Sequence, residues 1–517
     1  MNYYNKNNLP ENLSSLNDVS KNYDKTVNEF IIYLIKTNKI NEDKVKFIFN
    51  EYFSKKINNK IKKNYTNLIL KLLDQLLPIL LNQKHPKQAS FQLLRLLDHI
   101  SPNFEYLEKI IQKTFVYNTL SEILSFSGHI TNLLSKDDKL LEVLDPYYSL
   151  RLSGNITYYK NEFEKIQYLA DNEEIILNKL RKVHRSLKFQ IIVSVITNQL
   201  KIEKASYEFS ILARATIEKT IEIALHLMNK KTKLAINFLE ETGVLAYGRL
   251  ANNTMTSNSD LDLVFIFPDK STNFKETKEY FKFYKNFSKK IINILSAKTS
   301  EGILYEVDTK LLPSENRNDL ACKQSEFINF HKNHAFFWER IALIKSDIIF
   351  KNSSFQKSLV SLVDKMKSKD INLHGLLKEI KSMRGLNSNS TITSRNFHEV
   401  IVEKKNIINW YETKYSLGGQ RDIEFLEYIY KINLIKRRIV NVDNKKLFIN
   451  KAKNFYFVLD QFINITFSLE KPENLTDKVV IHLINYLNIR DLGNLKKIVK
   501  DTKNEINNFL LEVLIED

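Results

Sequence analysis

A single cysteine, Cys322, in 517 residues excludes a disulfide framework and fits a reducing cytosol. Glycine and proline are scarce as well, 10 and 8 in all, which argues against a turn-rich β architecture and favours long helices. No long hydrophobic run is present. The most apolar stretch, Leu68 to Leu81, is interrupted by Lys71, Asp74 and Pro78 and is too short and too charged to span a bilayer. The first residues, Met1 to Glu11, are polar and asparagine-rich and carry no targeting pattern, so a soluble cytoplasmic protein is expected.

Negative charge is in deficit: the formal net charge is +18. A basic chain attracts nucleic acid, acidic proteins or anionic substrates. Here the lysines are scattered over predicted helix faces and form no tract with interleaved aromatics. They read as solvated faces, and nucleic acid is not an expected partner. What the chain does have is 43% hydrophobic residues, enough for several cores at this length.

Helical periodicity dominates. Phe91, Leu93, Leu94, Leu96 and Leu97 form one apolar face, and Ser101-Pro102 supplies a start for the next helix. From about Glu203 to Met228, Ile217, Ile221, Leu225 and Met228 fall on one stripe, a packing face. The character changes at Gly243-Val244-Leu245-Ala246-Tyr247-Gly248, a short apolar strand followed by a polar turn. A strand over 260–267, a helix over roughly 275–296 and a third strand from Ile303 to Leu312 complete a small mixed α/β unit. From Ser325 onward the reading is helical, apart from a polar loop around 386–395 and a turn at Gly418-Gly419.

The chemistry is concentrated in Ser259-Asp260-Leu261-Asp262-Leu263-Val264-Phe265. Period-two alternation puts Asp260 and Asp262 on one face of a strand entering a core. Two like charges there are unfavourable without a cation, and carboxylate oxygens suit magnesium. Asp308, on the third strand, would give three acids converging on one point, an arrangement that holds two metal ions around a transferring phosphoryl group. Alternatively Asp308 pairs with Lys310 or caps a turn. His331 and His334, at i and i+3 without a nearby third ligand, read as surface residues.

The order of glycine turn, serine, acid-x-acid strand and later third acid resembles the DNA polymerase β-like nucleotidyltransferase superfamily. Six segments in order resemble one family within it, glutamine synthetase adenylyltransferase. They are Leu245-Ala246-Tyr247-Gly248-Arg249-Leu250, the acidic strand from Asn258, Leu304 to Ser314 around Tyr305-Glu306-Val307-Asp308, Phe337-Trp338-Glu339-Arg340 to Lys345, Lys381-Ser382-Met383-Arg384, and Gly418-Gly419-Gln420-Arg421-Asp422-Ile423-Glu424-Phe425 preceded by Lys414. The resemblance is sharp from about 243 to 430 and looser for 90–240 and beyond 430.

The resemblance implies a mainly α protein with an embedded mixed α/β nucleotidyltransferase domain of the polymerase β type, with helical bundles on both sides. The expected segments are a helical extension over 1–90, a helical domain over 91–235, the catalytic domain over 236–350 and a C-terminal bundle over 351–517. The implied reaction is magnesium-dependent transfer of AMP from ATP to a tyrosine of glutamine synthetase, a regulation of nitrogen metabolism, with a PII signalling protein as a further partner. The family enzyme carries two such domains, one attaching AMP and one removing it by phosphorolysis. This chain has motifs for one, whose wording is closer to the attaching half. Removal of AMP, or a weakened member that only binds glutamine synthetase, are the alternatives.

By the resemblance, Asp260, Asp262 and Asp308 hold two magnesium ions, and Gly248 and Ser259 flank the triphosphate. Arg249 and Lys310 are either phosphate contacts or surface charges. Lys414, Asp422 and Glu424 form an outer group whose acids meet nucleotide, metal or the lysine, or belong to a structural network. For Trp338-Glu339-Arg340, packing with an intrahelical ion pair is expected. Two departures stand out. Ala251-Asn252 replace a glycine pair whose positive φ angles side chains resist, and Leu312 replaces an arginine expected to face phosphate.

Overall fold

The computed structural model describes most residues from Lys63 to Ile515; the segments 1–62, 84–85, 101–102, 127, 167–171, 233–239, 272–276, 314–319, 368–372, 385–409, 415, 432–441, 467–482 and 516–517 lie outside the described residues. The expectations for most of 1–90, for a cap at Ser101 and for the loop around 386–395 therefore fall wholly or largely outside them. Among the described residues, no helix is long and apolar enough to cross a membrane.

The chain divides into two compact units, Met1–Leu150 with Val193–Gln199, and Arg151–Ile192 with Leu200–Asp517. The first unit is helical: α1 (Lys63–Leu81), α2 (Pro86–Ile100), α3 (Phe104–Gln112), α4 (Tyr117–Phe126), α5 (Gly128–Leu134) and α6 (Leu140–Val143). The apolar face read around Leu93, Leu96 and Leu97 is buried as expected. Asn103 caps α3 by accepting from the Tyr106 N–H at 3.0 Å, which satisfies one orphan donor of the first turn.

In the second unit, α7 (Ile156–Glu164), α8 (Glu173–Ile196) and α9 (Ile202–Thr232) precede a five-stranded sheet. Its strands are β1 (Gly243–Ala246), β2 (Leu261–Phe267), β3 (Val307–Asp308), β4 (Cys322–Lys323) and β5 (Asp347–Ile348). The order is β3-β2-β1-β5, with β4 also pairing β2. β1 runs antiparallel to β2 and β5, while β3 and β4 run parallel to β2, β3 at its start and β4 at its end. The expected strand from Ile303 to Leu312 is thus reduced to two residues, and Asp347–Ile348 is a strand within a region read as helical. Two-residue strands are too short to show a period of two, so sequence alternation carries no trace of them.

The two faces of β2 have separate fates. Val264 and Ile266 join Leu245, Tyr247, Leu312, Cys322 and Phe327 in one buried cluster. On the other face Phe267 stacks on Tyr284 at 4.9 Å between ring centroids and meets Tyr280 edge-on, both on α11 (Thr277–Ser296), which follows α10 (Gly248–Ala251). Arg181 of α8, fully buried, donates to the carbonyls of Leu177, Ile294, Ala297 and Gly302. One guanidinium thereby satisfies the C-terminus of α11 and the turn that leads into β3.

The remaining helices are α12 (Gln324–Asn333), α13 (Phe337–Ile344), α14 (Ser354–Lys367), α15 (Leu373–Met383), α16 (Gln420–Lys431), α17 (Val442–Thr466) and α18 (Leu492–Ile515). Helices α13, α15, α16, α17 and α18 share a second apolar cluster around Leu376, Ile380, Leu426, Tyr456 and Leu510. Glu339 closes the N-terminus of α13 by accepting from Phe336 N–H at 2.9 Å, a capping role.

His331 corrects the expectation of a surface residue. It is 6% exposed, with its ring 4.6 Å from Phe327 and 5.3 Å from Phe330, and neither ring nitrogen has a hydrogen-bond partner. Burial, reinforced by Arg340, pushes its pKa down to about 4. The folded state therefore binds this proton less readily than the unfolded chain, so its contribution is intact above the ordinary histidine value and is lost as pH falls from about 6.5 towards 4. The expected result is a fall in the urea midpoint between pH 7.5 and pH 5, reduced by about 2 kcal/mol in His331→Leu. An identical pH response in that variant would contradict this account.

Candidate active site

β2 and β3 assemble the acids. Asp262 and Asp308 are register partners on parallel strands, which places their backbones about 4.8 Å apart. Asp260 precedes β2 by one residue and shares the face of Asp262. Two neighbours approach Asp262 closely. Tyr247 N–H donates to its carbonyl at 3.0 Å, and Gly248, at φ +56°, has its Cα so near the carboxylate that a Cβ would lie 2.4 Å from Oδ2. Gly248 is therefore required twice, by its dihedral and by this approach.

Electrostatics report the crowding. Burial pushes the Asp262 carboxyl up to about 6, and the charges of Asp260 and Asp308 add to it, while Lys414 and Arg421 pull it back down. Arg421 was not anticipated as a site residue. Its signal is its position beside Asp422 in the glycine-led motif, and nothing in spacing alone brings that motif to β2.

Other expected contacts are placed differently. Ser259 Oγ accepts from Thr256 N–H at 2.9 Å and lies 2.9 Å from Thr256 Oγ1, so its hydroxyl folds the loop inward. Arg249 forms an ion pair with Asp460 of α17 at 2.7 Å. Asp308 has contacts on two sides. It stands beside Asp262, and it also accepts from Lys310 N–H at 2.8 Å and pairs with Lys310 Nζ at 3.0 Å.

Asp422 is fully buried, paired with Arg384 and accepting from Gly418 N–H at 2.7 Å. Glu424 faces Lys345 at 3.8 Å, not Lys414. The two late motifs thus interlock with each other through Arg384 and Asp422, and the structural reading of that carboxylate holds.

Both departures have a physical resolution. Asn252 has φ −90° and its side chain donates to Gly248 O at 2.7 Å, while the positive φ in this turn falls on Asn253, at 55°. Ala251 is helical, so neither residue carries the strain expected of a replaced glycine. Leu312 is fully buried in the apolar cluster with Val264 and Ile266, a place where a guanidinium would lose hydration.

The loop between β1 and β2 is held from both sides. From α9, Ser206 donates to Met255 O at 3.0 Å and Arg214 donates to Leu250 O at 3.2 Å. From α17, Gln461 donates to Met255 O at 2.8 Å, and the Asn464 carbonyl accepts from Ser257 Oγ at 2.6 Å and Asn258 Nδ2 at 2.8 Å. One turn earlier on α17, Tyr456 donates its hydroxyl to Gly418 O at 3.0 Å. Sequence periodicity marks such a helix as packing and is silent on what it grips.

Among the described residues, no group of three or more His, Cys, Asp or Glu side chains stands arranged to hold a metal ion. The donor chemistry and backbone positions of Asp260, Asp262 and Asp308 suit a hard divalent cation.

Residues 117–361 match the family described as glutamate-ammonia ligase adenylyltransferase, a stretch that contains all five strands and the three acids. The chain is 26% identical over 397 residues to a bifunctional glutamine synthetase adenylyltransferase/adenylyl-removing enzyme of Alteromonas mediterranea, covering 73% of this chain and 39% of that protein. A protein of the same description from Idiomarina loihiensis is 26% identical over 366 residues, covering 68% of this chain and 37% of its own length. The chain thus spans less than two thirds of the length of these relatives.

Proposed function

We propose that this chain transfers AMP from ATP to a tyrosine hydroxyl of glutamine synthetase, using a nucleotidyltransferase fold of the polymerase β type. The observation that carries the reading is the register pairing of Asp308 with Asp262, one strand residue from Asp260, inside the stretch that matches the family. Asp260, Asp262 and Asp308 would hold magnesium, which when bound supplies neutralising charge at the phosphates and lowers the pKa of the attacking phenol. The phenolic oxygen forms a bond to the α-phosphorus as the bond to the bridging oxygen of the β-phosphate breaks. Pyrophosphate leaves, and the phenolic proton passes to Asp308. Gly248 allows the backbone to approach the site closely.

The names of both relatives pair attachment with removal of AMP, which supports a second reading, phosphorolysis. There inorganic phosphate attacks the α-phosphorus of the AMP–tyrosine ester, releasing ADP and the free tyrosine. Incubation with α-labelled ATP and glutamine synthetase tests the first reading: label is expected on the synthetase with the parent and absent with Asp260→Asn. Release of ADP from adenylylated synthetase, with no label transferred in the forward assay, would assign the second. Loss of both activities with retained binding of the synthetase would overturn both.

A further inference from the structure

Helix α10, Gly248–Ala251, is a single turn, and its place matters because Gly248 opens it. A Cβ at Gly248 would lie 2.4 Å from Asp262 Oδ2, so the backbone of this turn packs directly on the acidic side chain. A helix of four residues has too few hydrogen bonds to offset the cost of its own nucleation. Its position is therefore set by what holds it from outside.

Two side chains on flanking helices do so. From α9, Arg214 donates to Leu250 O at 3.2 Å and pairs with Asp347 of β5 at 3.1 Å, which ties the turn to the sheet. From α17, Asp460 pairs with Arg249 at 2.7 Å, the two side chains being 15% and 20% exposed. Asp460 is itself steadied by Asn464 Nδ2, which donates to its carboxylate at 3.1 Å. The same helix holds the loop that follows α10, through Gln461 on Met255 O and the Asn464 carbonyl on Ser257 and Asn258. Of these contacts from α17, the Arg249 pair is the one that lands on α10 itself.

We propose that Asp460 is a positioning residue: through Arg249 it holds α10 where Gly248 meets the Asp262 carboxylate. This role rests on the reading of the three acids as the transfer centre. Without the pair, Arg214 still retains the far end of the turn at Leu250, so the fold survives. Gly248, at the near end, then shifts against Asp262 and changes the direction in which that carboxylate is presented. Small displacements in a reacting constellation cost rate more than they cost binding.

The test is Asp460→Ala in the full chain, read by hydrogen exchange without substrates and by AMP transfer with ATP and glutamine synthetase. Exchange is expected to quicken in peptides spanning 247–262 and to keep the parent rate in α12 and α14. Transfer is expected to lose about tenfold to a hundredfold in kcat, with little change in KM for ATP. The reversed pair, Arg249→Asp with Asp460→Arg, is expected to restore part of both. Exchange identical to that of the parent would overturn the assignment. So would exchange that quickens throughout the second unit, or local quickening with kcat unchanged. A parent that transfers no AMP, with the exchange response still confined to 247–262, would overturn the transfer reading and leave the clamp standing.

Discussion

Arg384→Met is expected to destabilise the second unit by about 3–5 kcal/mol. Arg384 and Asp422 have side chains 6% and 0% exposed, and the second oxygen of Asp422 is already committed to Gly418 N–H. Removing the guanidinium leaves a carboxylate in the interior supported by the Gly418 N–H. Burial already pushes the pKa of Asp422 up, with Arg384 as the main opposing charge. At neutral pH the variant must ionise the group without compensation or bind a proton against the bulk. Urea unfolding gives the size of the effect. Adding Asp422→Leu should recover a large part of it, because the pair costs most when broken on one side. A single variant as stable as the parent would show that the pair is not the clasp it is taken to be here.

Asp262→Asn is expected to lower AMP transfer by about a thousandfold while stabilising the metal-free protein. The first effect corresponds to about 4 kcal/mol of transition-state stabilisation. The second follows from the direction of the pKa. The folded value, about 6, lies above the ordinary 3.8, so the ionised form that prevails at pH 7.5 opposes folding, and the neutral amide relieves it. The shift amounts to about 3 kcal/mol at full weight, and about 1 kcal/mol once partial solvent access is allowed for. A higher urea midpoint with lost activity is the expected pairing. A midpoint equal to or below that of the parent would contradict the account of Asp262 as a carboxylate whose charge burial opposes.

Much of this was legible in the residues. The acid-x-acid strand, the glycine before it and the long helix over 202–232 follow from alternation and helical spacing, because those signals are local. The third acid was legible by residue, but its strand was overdrawn, since β3 owes its existence to pairing with β2 and not to its own periodicity. Motif order gives neighbours along the chain, whereas a partner such as Asp460 for Arg249 is set by tertiary packing. Arg421 was missed because its relation to Asp262 spans 159 positions. His331 shows the converse error: a polar residue between two phenylalanines looks exposed until the helix is packed.

The grip of α17 on the β1–β2 loop joins Asn258 to Asn464, residues 206 positions apart. The stretch that matches the family ends at 361, before that helix begins. A fragment cut to the matched boundaries would keep every acid and lose the brace that holds their surroundings in shape. The shape of the β1–β2 loop is thus a property of α17 as much as of the matched stretch, and during synthesis that loop must wait for a helix made some two hundred residues afterwards.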